Sequence, residues 1–389
     1  MNEDKEKVFL RTFGCQMNVR DSEVIAGLLT KQGYKITGRE EAADIIIYNT
    51  CSVRKHAEDK VWSELGRWGT RPKKKIIGLV GCMAKNYRDE VFRRAPGVDF
   101  AVGPGDIAKI PKIIERLSQD SFFERKIWET DGSIRPEEIY HTGFYEDKKH
   151  GYVVISEGCS NFCSYCVVPY VRGVLRNRDY RNILAEIERA VKKGITNITL
   201  LGQNVNAYES IDAQAPKARG KKIGFMDLLK MVNAIKGLKE FSFITSHPKD
   251  ASLKLFKAMA ECNKLKKYLH LPIQSGSDNV LERMGRGYTR KSYLNLVDNY
   301  RKIVKDGALS TDIIVGFPGE AEDDFRDTYN LIKDVEFDSA YIFKYSIRPH
   351  TRAEALPDDV PKKEKERRHQ LILNLQKDIS KRKRAKNKA

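Results

Sequence analysis

Residues 151–173 read GYVVISEGCSNFCSYCVVPYVRG and join an apolar run to a loop that carries three cysteines. The run GYVVIS has the β-branched and aromatic residues typical of a buried strand. Cys159, Cys163 and Cys166 follow it with the spacing C-x3-C-x2-C. Three thiolates this close can bind three irons of a 4Fe-4S cluster and leave the fourth iron without a protein ligand. An open metal position of this kind indicates catalysis rather than a purely structural role.

A structural zinc site is the alternative interpretation of this loop. Structural zinc usually has four protein ligands, and no fourth cysteine or histidine stands beside the loop. The spacing therefore favours an iron–sulfur cluster.

Six strand patterns, separated by helical stretches such as NILAEIERAVKKG and EDDFRDTYNLIKDV, follow one another from residue 151 onward. They are GYVVIS, NITLLG, EFSFIT, YLHLPI, ALSTDIIVG and SAYIFK. Six β/α units predict an incomplete parallel barrel, (β/α)6, over residues 151–360. Barrels of this class carry their chemistry at the carboxyl ends of the strands.

The chain before this region, residues 1–120, also alternates between strand and helix patterns. VFLRTF (8–13), DIIIYNT (44–50) and IIGLVG (76–81) are the strand candidates, and the amphipathic DSEVIAGLLTKQGY lies between the first two. This pattern predicts an amino-terminal parallel α/β sheet domain, so the whole chain is of the α/β class.

Cys15, Cys51 and Cys82 each follow one of these three apolar runs directly. Because sites in parallel sheets form beyond the carboxyl ends of the strands, we expect the three cysteines to converge. Taken singly, each would most often be a small buried apolar residue. Together they would make a second 4Fe-4S cluster with an open iron, able to hold a sulfur atom or a polysulfide.

The remaining segments are predicted to be connections and extensions. Residues 121–150 lack periodicity, carry many charges and are interpreted as a linker. Residues 361–389 form a basic helical extension that ends in SKRKRAKNKA. This tail suits either contact with phosphates or a solvated chain end.

The charge balance of 71 Lys and Arg against 53 Asp and Glu gives a net charge of +18. Such a field attracts polyanions, which makes nucleic acid the leading partner, although a merely soluble basic protein has the same composition. The sequence lacks the pattern of a secretory signal and any apolar run long enough to cross a bilayer. We therefore expect a cytoplasmic protein without membrane association, whose seven cysteines are reduced. We also expect a monomer.

The C-x3-C-x2-C loop resembles the cluster-binding loop of the radical S-adenosylmethionine (SAM) superfamily. The resemblance implies that SAM binds the open iron and is cleaved reductively to a 5′-deoxyadenosyl radical. Tyr165 stands inside the loop, where the superfamily often places an aromatic ring against the adenine. Ordinary packing is the alternative role for this ring.

A narrower resemblance covers nearly the whole chain. TFGCQMNVRDSE, NTCSVRKHAEDK and VGCMAK resemble the amino-terminal domain of the methylthiotransferases, and LLGQNVNAY, SHPKD, HLPIQSGS and IIVGFPGE resemble the radical domain of that family. Within the family, NTCSVRKHAEDK, VVPYVRG and GQNVNAY are most similar to the enzymes that modify tRNA. The resemblance implies that both cysteine trios are catalytic and hold two 4Fe-4S clusters.

The substrate implied is N6-isopentenyladenosine at position 37 of the tRNA anticodon stem-loop, which receives a methylthio group at carbon 2. The alternatives are N6-threonylcarbamoyladenosine in tRNA, a ribosomal protein side chain, and a non-catalytic iron–sulfur protein that binds RNA. Sulfur and electrons come from donors that the sequence does not identify.

The chain departs from the family pattern at two places. After VVPYVRG the run VLRNRDY adds Arg176, Arg178 and Arg181 where the family usually has acidic residues and a Ser-Arg pair. The small RNA-binding β-barrel that most members carry at the carboxyl terminus is not predicted in this chain. We expect the basic tail to substitute for part of its grip on RNA.

Further candidates for binding SAM follow the predicted barrel strands. Gln203 and Asn204 in GQNVNAY, and Gln274 and Ser275 in LPIQSGS, are placed to hydrogen-bond its sugar or amino acid part. Gly316 in VGFPGE permits a close backbone approach to a ligand, or simply makes a turn.

Arg172 and Cys262 lie outside these sets of candidates. Arg172, six residues beyond Cys166, is expected to contact tRNA phosphates or the SAM carboxylate, or else to be an exposed surface charge. Cys262 stands apart from both trios and is assigned to neither cluster.

Overall fold

The computed structural model describes residues 6–52, 55–69, 75–119, 126–132, 135–212 and 221–386. Its strands are β1 Lys7–Phe13, β2 Lys35–Thr37, β3 Ile45–Thr50, β4 Ile76–Gly81, β5 Phe100–Val102, β6 Ile127–Glu129, β7 His150–Val154, β8 Ser156–Glu157, β9 Arg176–Asn177, β10 Asn197–Leu201, β11 Glu209–Asp212, β12 Lys221–Gly224, β13 Glu240–Phe243, β14 Tyr268–His270, β15 Ala308–Val315 and β16 Ser339–Lys344.

The α-helices are α1 Gln16–Lys31, α2 Lys55–Gly66, α3 Cys82–Tyr87, α4 Glu90–Arg94, α5 Ile110–Gln119, α6 Val168–Arg172, α7 Tyr180–Lys192, α8 Phe225–Ala234, α9 Leu253–Glu261, α10 Asp278–Arg283, α11 Arg290–Ile303, α12 Glu322–Val335 and α13 Lys362–Lys386. Short 3-10 helices occupy Pro104–Lys109, Glu137–Thr142, Val205–Ala207, Pro248–Asp250 and Arg352–Ala355. Across the described ranges no helix is both long and apolar enough to span a membrane.

The amino-terminal part is a six-stranded parallel sheet in the order β2-β1-β3-β4-β5-β6. Every residue of β3 and β4 is buried, as continuous apolar strands are when helices cover both faces of a sheet. One face packs against α1 and α5, and the other against α2. The predicted parallel sheet is confirmed, and the reversal of strand order places a ligand-binding crevice at the carboxyl ends of β1 and β3.

The segment 121–150, which we interpreted as a linker, contains a strand of this sheet. β6 pairs with β5 in parallel, and the 3-10 helix that follows it buries Ile139 and Tyr140. Residues 121–125 and 133–134 lie outside the described residues. A strand of three residues held by backbone hydrogen bonds is too short to show a side-chain period, so the sequence pattern gave no sign of it.

The second part is the predicted incomplete barrel, and all six predicted strands are present. They form two parallel triples, β7-β10-β13 and β14-β15-β16. A parallel bridge from Phe241 to Leu265 joins the two triples. One continuous core, which includes Leu200, Phe241 and Ile313, fills the concave side and the layer under the helices.

The carboxyl-terminal helix α13 packs on the barrel. It follows the expected basic extension as far as residue 386, and residues 387–389 lie outside the described part. Ile372 and Ile379 are fully buried in the barrel core. The described part of the tail also makes ion pairs within the chain, since Arg382 pairs with Glu336 and Lys383 with Asp338.

Buried ion pairs fasten the two parts together. Arg20 on α1 is fully buried, and its guanidinium lies 3.0 Å from both Glu23 on the same helix and Glu186 on α7. It also donates hydrogen bonds to the carbonyls of Tyr140 and Phe144. Because a buried charge is tolerated only when it is paired, these contacts fix one orientation of the sheet domain on the barrel.

Arg20→Met is therefore expected to destabilise the protein by about 3–5 kcal/mol, since it removes the cation beside the buried Glu23 and leaves Glu186 with Arg178 as its partner. Urea unfolding followed by circular dichroism measures this free energy. Arg93→Met is the matched control, because Arg93 pairs with Asp89 on the surface with about three quarters of each side chain exposed. The control should cost less than about 1 kcal/mol, and equal losses in the two variants would contradict the interpretation.

Candidate active site at the domain junction

The short antiparallel pair β8–β9 brackets the loop that carries Cys159, Cys163 and Cys166. Its backbone is fixed at two points: the Cys159 N–H donates to the Gly173 carbonyl at 3.0 Å, and the Ser164 N–H donates to the Met284 carbonyl at 2.9 Å. The loop therefore has one defined path across the mouth of the barrel. Cys163 is buried, and the other two cysteines are half-buried.

The turn into this loop depends on a glycine. Gly158 has φ of +72°, and a Cβ at this position would lie 2.1 Å from the Val174 carbonyl oxygen and 2.4 Å from that of Gly173. Both obstacles are backbone atoms, which cannot rotate away.

Gly158→Ala is accordingly expected to displace the cysteine loop and to lower the iron bound by the reconstituted protein from about eight to about four per chain. Iron analysis after anaerobic reconstitution measures the change. Gly38→Ala is the control, because a Cβ there meets no atom within 4 Å, and it should bind as much iron as the unaltered chain. Full iron content in Gly158→Ala would contradict the assigned loop geometry.

Polar side chains from distant parts of the barrel surround Cys163. The Arg286 guanidinium donates to the Cys163 Sγ and to the Tyr165 hydroxyl, each at 3.3 Å. His247 Nε2 lies 3.9 Å from the same sulfur. Burial, with the charges of Arg286 and Lys249, lowers the pKa of His247 to about 2, so its imidazole is neutral. His247 belongs to the SHPKD motif, but nothing in the sequence indicated that His247 or Arg286 lies beside Cys163.

Burial raises the pKa of the Cys166 thiol to about 12, and the neighbouring Cys163 adds to the effect. A metal cation at this loop would reverse that preference, because coordinated thiols are deprotonated. The donor set therefore fits a cationic cluster.

The second predicted trio comes together at the carboxyl edge of the sheet. Cys15 precedes α1, Cys51 follows β3, and Cys82 begins α3 directly after β4. The backbone packs closely around these cysteines at two glycines. A Cβ on Gly14 would lie 2.8 Å from the Cys51 Cβ, and one on Gly81 would lie 2.7 Å from the Thr50 carbonyl oxygen. The structure thus gathers three cysteines that are separated by up to 67 residues in the sequence.

These thiols affect one another electrostatically. A hydrogen bond from Cys51 lowers the pKa of Cys15 to about 6, despite burial, and the charge of Arg172 contributes. Burial raises the pKa of Cys82. One thiolate is therefore already favoured at neutral pH before any metal is present.

The two trios are joined through α6. This helix begins two residues after Cys166, and Val167 and Val171 pack against Cys82. At its end the Arg172 Nε donates to the Cys82 Sγ at 3.2 Å. Arg172, expected to contact phosphates or the SAM carboxylate, is instead buried and lies against the second trio.

The ligand geometry separates a cluster from a single ion. Within the part of the chain that the structure describes, no three His, Cys, Asp or Glu side chains surround one position as ligands of a single metal ion. The irons of a 4Fe-4S cube occupy separate corners, so its thiolates need not converge on one point. All seven cysteines lie in the described residues, and none forms a disulfide.

Gln203 and Asn204 leave polar atoms available for a ligand. The Gln203 Oε1 and the Asn204 Oδ1 are buried without a hydrogen-bond partner. The Asn204 Nδ2 is held by Asp250 at 2.6 Å, which fixes the direction of the side chain. Since buried polar atoms are rarely left unsatisfied, these two oxygens suit the hydroxyl or ammonium groups of a bound molecule.

The other SAM candidates are engaged within the fold. Gln274 has φ of +75°, and its backbone bonds to β15. The buried Ser275 hydroxyl contacts Thr328 and accepts the Ser277 N–H. These bonds hold the turn that follows β14.

Gly316 donates its N–H to the Glu320 carboxylate at 2.5 Å. Glu320 in turn pairs with Arg368 on α13 at 2.8 Å. The Tyr165 ring packs against a small apolar cluster that includes Phe317.

The arginines after the cysteine loop are largely used inside the protein. Arg178 is buried and pairs with Glu186 at 2.7 Å, and Arg181 pairs with Asp212. Arg176 is partly exposed and lines a cavity of about 290 Å³ at the domain junction, together with Lys85 and Arg88. Only part of the extra charge in VLRNRDY is thus placed to meet RNA.

Comparison with known proteins agrees with this arrangement. Residues 7–103 match the uncharacterized protein family UPF0004, and residues 153–332 match the radical SAM superfamily. The tRNA-2-methylthio-N(6)-dimethylallyladenosine synthase of Clostridium novyi (strain NT) is 44% identical over 97% of this chain and 82% of its own length. The enzyme of that name from Natranaerobius thermophilus is 40% identical over 96% of this chain and 82% of its own.

Solved structures share the fold at low sequence identity. The radical SAM methyltransferase TsrM of Kitasatospora setae superposes with a TM-score of 0.60 at 12% identity, over 90% of this chain and 75% of that one. The cobalamin-dependent SAM radical enzyme OxsB has a TM-score of 0.53 at 14% identity, over 94% and 56% of the two chains. These likenesses concern the architecture of an α/β domain and a partial barrel.

Proposed function

This chain belongs to the tRNA-2-methylthio-N(6)-dimethylallyladenosine synthases, which are radical SAM enzymes, and from that premise we propose that it works with two 4Fe-4S clusters. It transfers a methylthio group to carbon 2 of N6-isopentenyladenosine at position 37 of the tRNA anticodon stem-loop. The observation that carries the two-cluster proposal is the contact of α6, which directly follows the barrel trio, with Cys82 of the sheet trio.

Cys159, Cys163 and Cys166 would hold the first cluster and leave one iron for SAM. When bound, this pair supplies the one-electron chemistry that activates adenosine carbon 2. Arg286 donates a hydrogen bond to the Cys163 sulfur, and its positive charge offsets the negative charge of the thiolates. The free oxygens of Gln203 and Asn204 would bind SAM, and the neutral His247 closes the barrel side of the site without adding charge.

Cys15, Cys51 and Cys82 would hold the second cluster and, on its open iron, the sulfur to be transferred. Their place beyond the carboxyl ends of β1, β3 and β4 puts that sulfur at the crevice of the sheet. Because Cys82 contacts the α6 segment, we propose that the two sites face one another across the domain junction.

The partner is tRNA, and the net charge of +18 favours its approach. We propose that the protein acts as a cytoplasmic monomer. The exposed rings of Phe162 and Tyr170 lie beside the cysteine loop, 6.3 Å apart, where an unstacked base of the anticodon loop could rest. The adenine edge must leave the loop stack to reach the site, as RNA-modifying enzymes generally require.

Mass spectrometry of tRNA nucleosides from a deletion strain tests the substrate. We expect 2-methylthio-N6-isopentenyladenosine to disappear, N6-isopentenyladenosine to accumulate, and the product to return when this chain is expressed. An unchanged nucleoside profile would contradict the proposal. Loss of the methylthio derivative of N6-threonylcarbamoyladenosine, or of a modified ribosomal protein, would assign the alternative substrates instead.

A further inference from the structure

Arg172 is a buried guanidinium that contacts two groups of the other domain. Its Nε donates to the Cys82 Sγ at 3.2 Å, and one of its terminal nitrogens donates to the Asp21 carboxylate at 2.7 Å. The arginine side chain is 4% exposed and the aspartate 1%. Both contacts cross the domain junction, since Arg172 ends α6 while Asp21 and Cys82 belong to the sheet domain.

Asp21 is itself held from the other side. Its second oxygen accepts from Arg135 at 2.6 Å, and Arg135 also lies 3.0 Å from Glu157 at the end of β8. The carboxylate thus bridges two buried arginines. Because this network holds Asp21 from both sides, the Arg172 guanidinium has little freedom to rotate away from the Cys82 sulfur.

We propose that Arg172 is a positioning residue that raises the reduction potential of the cluster held by Cys15, Cys51 and Cys82. The inference rests on the proposed function, because it requires a cluster at those cysteines. Asp21 orients the guanidinium, and Arg172 offers an N–H and a positive charge to one ligand sulfur.

The physical reason lies in the charge of the reduced cluster. Reduction adds an electron that is shared with the ligand sulfurs, and a hydrogen bond or a cation beside a sulfur stabilises that extra charge. A guanidinium presents several N–H groups in one plane and can serve Cys82 and Asp21 together. A lysine ammonium is a single compact donor and cannot hold both partners in this geometry.

The placement of Arg172 has a functional consequence. The residue that tunes the sulfur-holding cluster is supplied by the segment that follows the radical-generating cysteines. The potential of the second cluster therefore depends on the docking of the barrel against the sheet domain. The sulfur bound to this cluster is therefore reactive only when the barrel is docked against the sheet domain.

The experiment uses the full chain with Cys159, Cys163 and Cys166 replaced by alanine, so that one cluster remains. A redox titration followed by electron paramagnetic resonance gives its potential in this parent and after Arg172→Gln, Arg172→Lys or Arg176→Gln. Arg176 is the matched control, because it lies four residues further along the chain and contacts the Val174 and Arg172 carbonyls and the Glu157 carboxylate rather than a cysteine. We expect a shift to more negative potential in Arg172→Gln, a smaller shift in Arg172→Lys, and little change in the control.

The outcomes separate this inference from the proposed function. A parent without iron would overturn both, because no second cluster would exist. A parent with a cluster whose potential is unchanged by Arg172→Gln, or is shifted equally by Arg176→Gln, would overturn the role of Arg172 alone. If Arg172→Gln holds no iron, Arg172→Lys decides: a potential below that of the parent supports the inference, and an equal potential overturns it.

Discussion

Replacing Cys159, Cys163 and Cys166 together by alanine is expected to reduce the formation of 5′-deoxyadenosine from SAM to the rate seen without protein. The three sulfurs are the proposed thiolate donors of the cluster that binds SAM, so their removal leaves that cluster without protein ligands. Anaerobic incubation with reductant and SAM, followed by chromatography of the nucleosides, measures the loss. With no cluster to hold SAM, transfer of the methylthio group should vanish as well.

Cys262→Ala is the control for this experiment. Cys262 is buried at the end of α9 in the barrel core and belongs to neither trio. Its replacement removes one small buried side chain and should leave SAM cleavage unchanged, with a modest loss of stability of about 1 kcal/mol. Cleavage that persists in the triple variant would show that the barrel loop is not the site of SAM activation.

Replacing Cys15, Cys51 and Cys82 by alanine is expected to separate SAM cleavage from methylthio transfer. SAM cleavage should persist, because the barrel loop is bracketed by β8–β9 and anchored to its own domain. Methylthiolation of tRNA should fall below detection, because the sulfur has no place to bind. The measurement is the ratio of 5′-deoxyadenosine to 2-methylthio product in the same reaction.

A triple variant of the sheet cysteines that still forms the 2-methylthio product would contradict the role of these residues. Loss of both activities is checked against the iron content, and loss of all iron would contradict two separate clusters.

Much of the fold followed from apolar runs. All six barrel strands and the first three long strands of the sheet were predicted, because each contains an apolar run between helical stretches. β2 Lys35–Thr37, β5 Phe100–Val102 and β6 Ile127–Glu129 were missed because each has only three residues. The antiparallel pair β11–β12 was missed for a related reason: each strand has four residues and half of the eight are charged, so no apolar run marks it in the sequence.

The sequence predicted those residues of the candidate site that lie at the ends of strands. Cysteines that follow parallel strands must meet at one edge, and the sheet trio does so. The partners of the arginines were not predictable, because a long side chain reaches residues that are distant in sequence. Arg172 contacts Cys82 across 90 positions, and Arg286 contacts Cys163 across 123. Both arginines lie buried beside sulfur, where sequence alone suggests only positive charge.

Iron and acid-labile sulfide analysis, combined with electron paramagnetic resonance of the anaerobically reconstituted chain, tests the central claim most directly. We predict about eight irons in the unaltered chain and about four in each of the two triple-cysteine variants, with different spectra for the two that remain. Zinc in place of iron, about four irons in the unaltered chain, or the loss of all iron from either triple variant would contradict two separate clusters facing one another across the domain junction.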